Sequence, residues 1–155
     1  MRKTINIINK ILEYLSIFSI GAMLLTIFIQ VLARYVFHHS LAFSEELARY
    51  LFVYTAFFGT AVVSKNDGHI VMEALTSKLK KNVAKYAKIV AYICTIIFVI
   101  ILFYYGIRMM VISSLQLSPA LRISMSFVYF AIPSSAFVML CNLLLLIHDT
   151  LKNKG

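Results

Sequence analysis

Three ionisable side chains stand together where a polar stretch meets a long apolar one. They are Glu45, Glu46 and Arg49. On a helix, spacings of three and four residues let both carboxylates reach one guanidinium. Ser44 precedes them as a plausible N-cap, and acids in a first turn suit the positive end of the helix dipole. Carboxylates paired to arginine are poor general acids or bases, so the cluster favours salt-bridge chemistry over catalysis.

The other residues whose side chains could take part in chemistry are isolated. Glu13 is a candidate proton-coupling carboxylate, although Lys10 stands three residues before it and also suits a simple interfacial pair. None of the four histidines lies inside an apolar segment, and adjacent side chains such as those of His38 and His39 point apart on most backbones. No metal or haem site and no enzymatic activity are therefore expected.

The elements that must position these residues are membrane spans. The chain has 155 residues, of which 61% are hydrophobic, and soluble domains have about 45 to 50%. Four apolar segments reach the roughly 20 residues that a helix needs to cross a bilayer. Their approximate bounds are 11–33, 45–63, 89–107 and 127–147. The sequence predicts an all-α integral membrane protein that forms one membrane domain over residues 1–155.

The charge distribution orients the spans. The net charge is +9, and with four spans both termini share a side with the central loop. Eleven of the 15 lysines and arginines fall on that side, and four fall on the other. The positive-inside rule therefore places both termini in the cytoplasm and the first and third loops outside. A basic balance of this kind indicates a lipid surface as the partner and not a nucleic acid.

The first outer loop brings a fourth charge to the cluster. Arg34 ends the first span, and a short connection makes the first two spans antiparallel neighbours. The spacing favours a pair between Glu45 and Arg49, which leaves Glu46 able to reach Arg34, but the sequence does not assign the pairs. Two interpretations stay open, a network that pins the hairpin or a contact with a partner protein, because unpaired charges near lipid are costly.

Two further features concern the backbone. Apolar residues recur every fourth position between residues 70 and 86, which predicts an amphipathic helix at the membrane surface. These apolar residues are Val71, Leu75, Leu79 and Val83. The alternatives are that this segment is a solvated loop or that it binds in a groove. Pro133 lies inside the fourth span and is expected to kink it, with Ser134 and Ser135 available to bond freed carbonyls.

Several motifs in succession resemble the small membrane subunit of tripartite ATP-independent periplasmic (TRAP) transporters, of the DctQ or SiaQ kind. The motifs are Arg34-Tyr35-Val36-Phe37, Ser44-Glu45-Glu46-Leu47-Ala48-Arg49-Tyr50, Phe58-Gly59, Gly68-His69-Ile70, Ser118-Pro119-Ala120-Leu121 and Tyr129-Phe130-Ala131-Ile132-Pro133. The resemblance covers most of the chain. It departs from the family at Phe43, Met125 and Phe127, where tryptophan is common nearby.

The resemblance implies a sodium-driven importer of organic anions, such as sialic acid or a C4-dicarboxylate, in a bacterial inner membrane. Its expected partners are a large transport subunit, which would hold the sodium and move like an elevator, and a periplasmic binding protein. This chain would be a static scaffold without a cofactor of its own. Its outer loops, with His38, His39 and Arg122, would help to receive the binding protein. The alternative from the residues alone is a homodimeric, proton-coupled exporter that uses Glu13.

Overall fold

The computed structural model describes residues 2–36, 38, 41–65 and 81–152. Its helices are α1 (Arg2–Tyr35), α2 (Ala42–Val63), α3 (Lys81–Ile112), α4 (Met125–Tyr129) and α5 (Ala131–Lys152), with one 3-10 turn at Ser113–Leu115. Four segments are long and apolar enough to cross a membrane, namely Lys3–Tyr35, Ala42–Val63, Val90–Leu115 and Met125–Ile147. The prediction of an all-α, four-span membrane protein is confirmed.

The described helices extend further than the apolar segments predicted. The polar residues before position 11 continue α1 as far back as Arg2, and α2 begins at Ala42 instead of 45. Hydrophobicity locates the part of a helix that lies in lipid, whereas backbone hydrogen bonds continue into the polar flanks until a cap or a turn ends them.

The predicted amphipathic helix falls mostly outside the described residues. Val71, Leu75 and Leu79 lie outside them, whereas Val83 belongs to α3. The helix between the second and third spans therefore stays a prediction. The sequence analysis ended the amphipathic helix at residue 86 and began the third span at 89, but no break separates them. The helix α3 runs unbroken from Lys81, because no proline or glycine occurs between Lys81 and Tyr105.

The helices form an open arrangement with α5 at its centre. α1 packs along α2, α2 packs on α5, and α1 also touches α5. α3 packs on α5 and, in the described part of the chain, reaches neither α1 nor α2. The shared core consists of Leu12, Phe58, Ala61, Val99, Ala131, Ala136, Val138, Met139 and Leu143. Most large apolar residues of α1 and α3 are exposed, as lipid-facing helices require.

The fourth span is interrupted at Phe130, where α4 ends and before α5 begins. Pro133 has no N–H to donate to the carbonyl of Tyr129, and its ring crowds that carbonyl. The Ser134 hydroxyl donates to the carbonyls of Phe130 at 2.7 Å and Ala131 at 3.1 Å. The break thus falls one turn before the proline. The two serine hydroxyls bond the carbonyls of Phe130, Ala131 and Ile132, and neither bonds the freed carbonyl of Tyr129 as expected from the sequence.

Gly106 permits the closest approach of α3 to α5. A Cβ atom at this position would stand 2.9 Å from Cγ2 of Ile132 and 3.2 Å from Cδ of Pro133. Neither of these atoms is the end of a flexible side chain. The contact therefore depends on the absence of a side chain at residue 106.

We expect Gly106→Ala to lower the stability of the detergent-solubilised protein by about 1–3 kcal/mol, since overpacking forces two helices apart. Gly21→Ala is the matched control, because a Cβ there meets nothing within 4 Å. Thermal unfolding followed by circular dichroism measures both. Equal melting temperatures for the two variants would contradict the packing of α3 on α5 described above.

Candidate functional site

One carboxylate ties the start of α2 to the loop before α4. Glu46 is 7% exposed. Its Oε2 accepts hydrogen bonds from the backbone N–H groups of Ala120 at 2.7 Å and Leu121 at 3.0 Å. Its Oε1 accepts from the Tyr50 hydroxyl one turn along the same helix. We call these four residues the Glu46 cluster.

The loop that meets Glu46 is itself an ordered turn. Leu117 and Ser124 form an isolated antiparallel bridge, and Ser118 N donates to the carbonyl of Ile123 at 2.9 Å. Ser118 is 2% exposed, and its hydroxyl accepts from Ile123 N at 3.3 Å. Arg122 takes a left-handed conformation with φ of 51°, which closes the turn. These bonds leave the N–H groups at the tip free to bind a carboxylate.

Two tyrosines of α2 extend this attachment towards the membrane. The Tyr50 hydroxyl lies 3.3 Å from Sδ of Met125, and the Tyr54 hydroxyl donates to the carbonyl of Phe127. On the α3 side, the Ser126 hydroxyl donates to the carbonyl of Met110 at 2.9 Å. The short helix α4 is therefore bonded to both α2 and α3, which otherwise do not touch in the described part of the chain.

The ion pairs suggested by the spacing are not formed. Among the described side chains, neither Glu45 nor Glu46 is paired with Arg34 or Arg49. Glu45 instead accepts a hydrogen bond at 3.0 Å from Nε2 of Gln30 in α1. For Glu46 the reason is direction, because its side chain points into the protein, where backbone donors need an acceptor, whereas Arg49 is exposed.

Ser44 is not the N-cap of α2. The cap residue is Leu41, which makes no side-chain cap bond. Ser44 lies in the first turn, 1% exposed, and its hydroxyl donates to the carbonyl of Leu41 at 2.7 Å. The hydroxyl thus has its hydrogen-bond partner in the first turn of the same helix, which it helps to close.

The other predicted site residues do not join the Glu46 cluster. His38 is exposed with φ of 50°, and the Arg122 side chain is exposed. His39 lies outside the described residues. Glu13 is exposed on α1, one turn from Asn9, and is not buried at mid-membrane as an exchange site would require.

A second polar cluster at the other end of the bundle has no counterpart in the sequence analysis. Asn9 and Asn142 are 1% and 3% exposed. Their amides form reciprocal hydrogen bonds, Asn9 Nδ2 to Asn142 Oδ1 at 2.7 Å and Asn142 Nδ2 to Asn9 Oδ1 at 2.9 Å. Asn142 Nδ2 also reaches the carbonyl of Ala61 at 3.0 Å and Oγ of Ser64 at 3.2 Å. We call these four residues the Asn142 cluster, and it joins α1, α2 and α5.

One signal for the Asn142 cluster was present in the sequence. Asn142 lies inside the fourth predicted span, and a strongly polar residue at such a position needs a partner in another helix or a functional role. Asn9 gave a weaker signal, because it stands before the apolar part of the first span. Their sequence separation of 133 residues hides the pairing.

Both clusters hold elements together and leave no free group for chemistry. The carboxylate oxygens of Glu46 and both amides of the asparagine pair have partners. Within the described residues, no group of three or more histidine, cysteine, aspartate or glutamate side chains is arranged to hold a metal ion. The arrangement is that of a multi-pass membrane protein stabilised by a polar cluster at each end.

The comparisons place this membrane protein in a transporter family. Residues 23–153 match the family described as tripartite ATP-independent periplasmic transporters, DctQ component. The chain belongs to this family of transporter components. A TRAP transporter small permease of Haemophilus influenzae (strain Rd) is 37% identical over 129 residues, which cover 83% of this chain and 78% of that protein.

Two further relatives come from the same species. The sialic acid TRAP transporter permease protein SiaT of a second strain is 30% identical over 141 residues, which cover 86% of this chain and 22% of that protein. Another small permease of strain Rd is 35% identical over 79 residues, covering 51% of this chain and 49% of that protein. The family resemblance drawn from the motifs is confirmed.

Proposed function

We propose that this chain is the scaffold subunit of a sodium-coupled TRAP importer of organic anions. In this role it anchors a large transport subunit, which carries the substrate and the sodium, and helps to receive a periplasmic binding protein. The observation that carries the proposal is the saturation of both polar clusters. Their polar side chains hold one helix or loop to another and leave no group to bind a substrate.

The relatives support the partner and the substrate class. The sialic acid permease SiaT is a longer protein, of which this chain matches 22%. A region like this chain is therefore part of a much longer permease protein in that relative. Sialic acid or a C4-dicarboxylate is the proposed cargo class, and it binds on the large subunit.

The charge distribution supports a location in a bacterial inner membrane with both termini in the cytoplasm. Eleven of the 15 basic residues flank the ends of the spans on that side. The Glu46 cluster then lies at the periplasmic end. The ordered turn at residues 116–124, with exposed Arg122, and exposed His38 present the surface that meets the binding protein.

The test is reconstitution. The tagged chain is expected to co-purify in detergent with the large subunit of the same bacterium. Liposomes that contain both subunits, supplied with the binding protein and an inward sodium gradient, are expected to take up N-acetylneuraminate or succinate. Liposomes with this chain alone are expected to show no uptake above empty vesicles.

Uptake by the lone chain would overturn the proposal in favour of an autonomous carrier. In that case Glu13→Gln becomes the informative variant, since a proton-coupled exporter needs that carboxylate. Failure of the large subunit to co-purify with the unmodified chain would also count against a scaffold role.

A further inference from the structure

α2 has one face that no described helix covers. Its residues recur at three- and four-residue spacing, which places them on one stripe of the helix. We call this stripe the free face of α2, and its members are Arg49, Phe52, Ala56, Gly59, Thr60 and Val63. All are exposed except Gly59, which is half-buried. At 1.5 Å per residue the stripe is about 21 Å long, most of the hydrocarbon thickness.

The charge on this face has no partner among the residues that the structure describes. Arg49 makes no hydrogen bond or ion pair with the rest of the described chain, because Glu45 bonds to Gln30 and Glu46 bonds to the loop. Arg49 stands seven residues into α2, about 10 Å from the start of the helix. An arginine inside a span faces protein or water and pairs with an opposite charge. A carboxylate on a helix packed against this stripe would supply the opposite charge.

The middle of the free face has small side chains. Ala56, Gly59 and Thr60 lie there, and a Cβ at Gly59 would meet nothing within 4 Å. The Thr60 hydroxyl donates to the carbonyl of Ala56 at 2.7 Å, so it adds no unsatisfied group to the surface. Phe18 and Phe28 of α1, by contrast, are 71% and 62% exposed.

Small residues let two helix backbones approach closely, an advantage only where a second helix packs. We infer that the free face of α2 docks a transmembrane helix of the large subunit that carries an aspartate or glutamate opposite Arg49. The inference rests on the proposed scaffold function and assigns the interface within it. Bulky apolar side chains of the docked helix fill the space above Gly59, and its carboxylate pairs with Arg49.

The experiment compares two matched pairs of variants in co-purification with the large subunit. Gly59→Leu is expected to lower the recovered large subunit about tenfold or more, equivalent to at least about 1.4 kcal/mol. Gly21→Leu is its control, because a Cβ at Gly21 on α1 also meets open space.

Arg49→Gln is expected to give a similar loss of recovered large subunit. Arg108→Gln is its control, since Arg108 is also exposed and lies 5.9 Å from the centre of the Tyr104 ring.

The lone variants are first melted in detergent, and all four are expected to unfold at the wild-type temperature. If Gly59→Leu and Arg49→Gln both recover as much large subunit as the wild-type chain does, the inference is wrong and the scaffold function still stands. Loss of co-purification in all four variants alike also overturns it, because the effect is then not specific to α2. If the wild-type chain recovers no large subunit, the scaffold function itself fails. If it self-associates through Gly59 instead, a second copy is the occupant and the inference is wrong.

Discussion

Glu46→Ala is expected to detach the turn at residues 116–124 from α2. The substitution leaves two part-buried backbone N–H groups without their acceptor, and it leaves the Tyr50 hydroxyl with only the sulfur of Met125. Buried donors that lose their only acceptor destabilise the folded state more than the loss of a neutral, exposed hydrogen bond does. Amide hydrogen exchange at Ala120 and Leu121, measured by mass spectrometry in detergent, is expected to accelerate about tenfold or more.

The neighbouring carboxylate is the matched control. Glu45→Ala removes one exposed hydrogen bond to Gln30 and no contact with the turn, so exchange in residues 116–124 is expected to stay at the wild-type rate. Glu46→Gln is an intermediate case, because its carbonyl oxygen still accepts while its NH₂ group faces other donors. Equal exchange in Glu45→Ala and Glu46→Ala would show that the turn is held by its own backbone bonds alone.

The detachment has a functional consequence in the proposed assembly. In the proposed orientation, the Glu46 cluster fixes a turn at the periplasmic end, where the binding protein is expected to dock. Uptake by the reconstituted complex should therefore fall in Glu46→Ala, while co-purification of the large subunit through the free face of α2 persists. The two measurements separate a role in docking the binding protein from a role in assembly.

The sequence predicted the spans well because their cause is local. A helix in lipid needs about 20 consecutive apolar residues, and this requirement can be read in one window. The residues 89–107 accordingly fall within α3, and 127–147 fall within the fourth span. The break at Phe130 was also foreseeable, since proline acts on the turn that precedes it.

The polar contacts were hard to predict because their causes are distant. Glu46 bonds to backbone groups 74 and 75 residues further along the chain, and backbone donors carry no signature in a sequence. Local spacing pointed to Arg49 and Arg34 instead. The spacing included Glu46 but gave it the wrong partners, since it does not show which way each side chain faces in a bundle.

A double-mutant cycle on Asn9 and Asn142 is expected to show the largest pairwise coupling in the bundle. Each single alanine substitution leaves the Oδ1 atom of the opposite asparagine buried without its donor, at a cost of about 1–3 kcal/mol. Asn142→Ala is expected to cost more than Asn9→Ala. Its amide also reaches Ala61 in α2 and Ser64 in the turn after it. The Asn9 side chain, among the described residues, bonds otherwise only to the carbonyl of Ile5 in its own helix.

The double variant is expected to be destabilised by about 1 kcal/mol less than the sum of the two singles, because no amide is then left unpaired. Interhelical hydrogen bonds in membrane proteins typically contribute about 0.6 kcal/mol and at most about 1.7, so a reciprocal pair should lie towards the upper end. Reversible unfolding in mixed micelles gives all four free energies of unfolding.

Two further variants separate hydrogen bonding from packing. Asn142→Asp keeps the shape but replaces a donor with an acceptor facing the Ala61 carbonyl, and it is expected to cost at least as much as Asn142→Ala. Thr95→Val is the control for a polar group that bonds within its own helix, since its hydroxyl donates to the carbonyl of Ala91, and it should change stability little. Additive singles, or a stable Asn142→Asp protein, would mean that the asparagines fill space and that apolar packing alone joins α1, α2 and α5 at this end of the bundle.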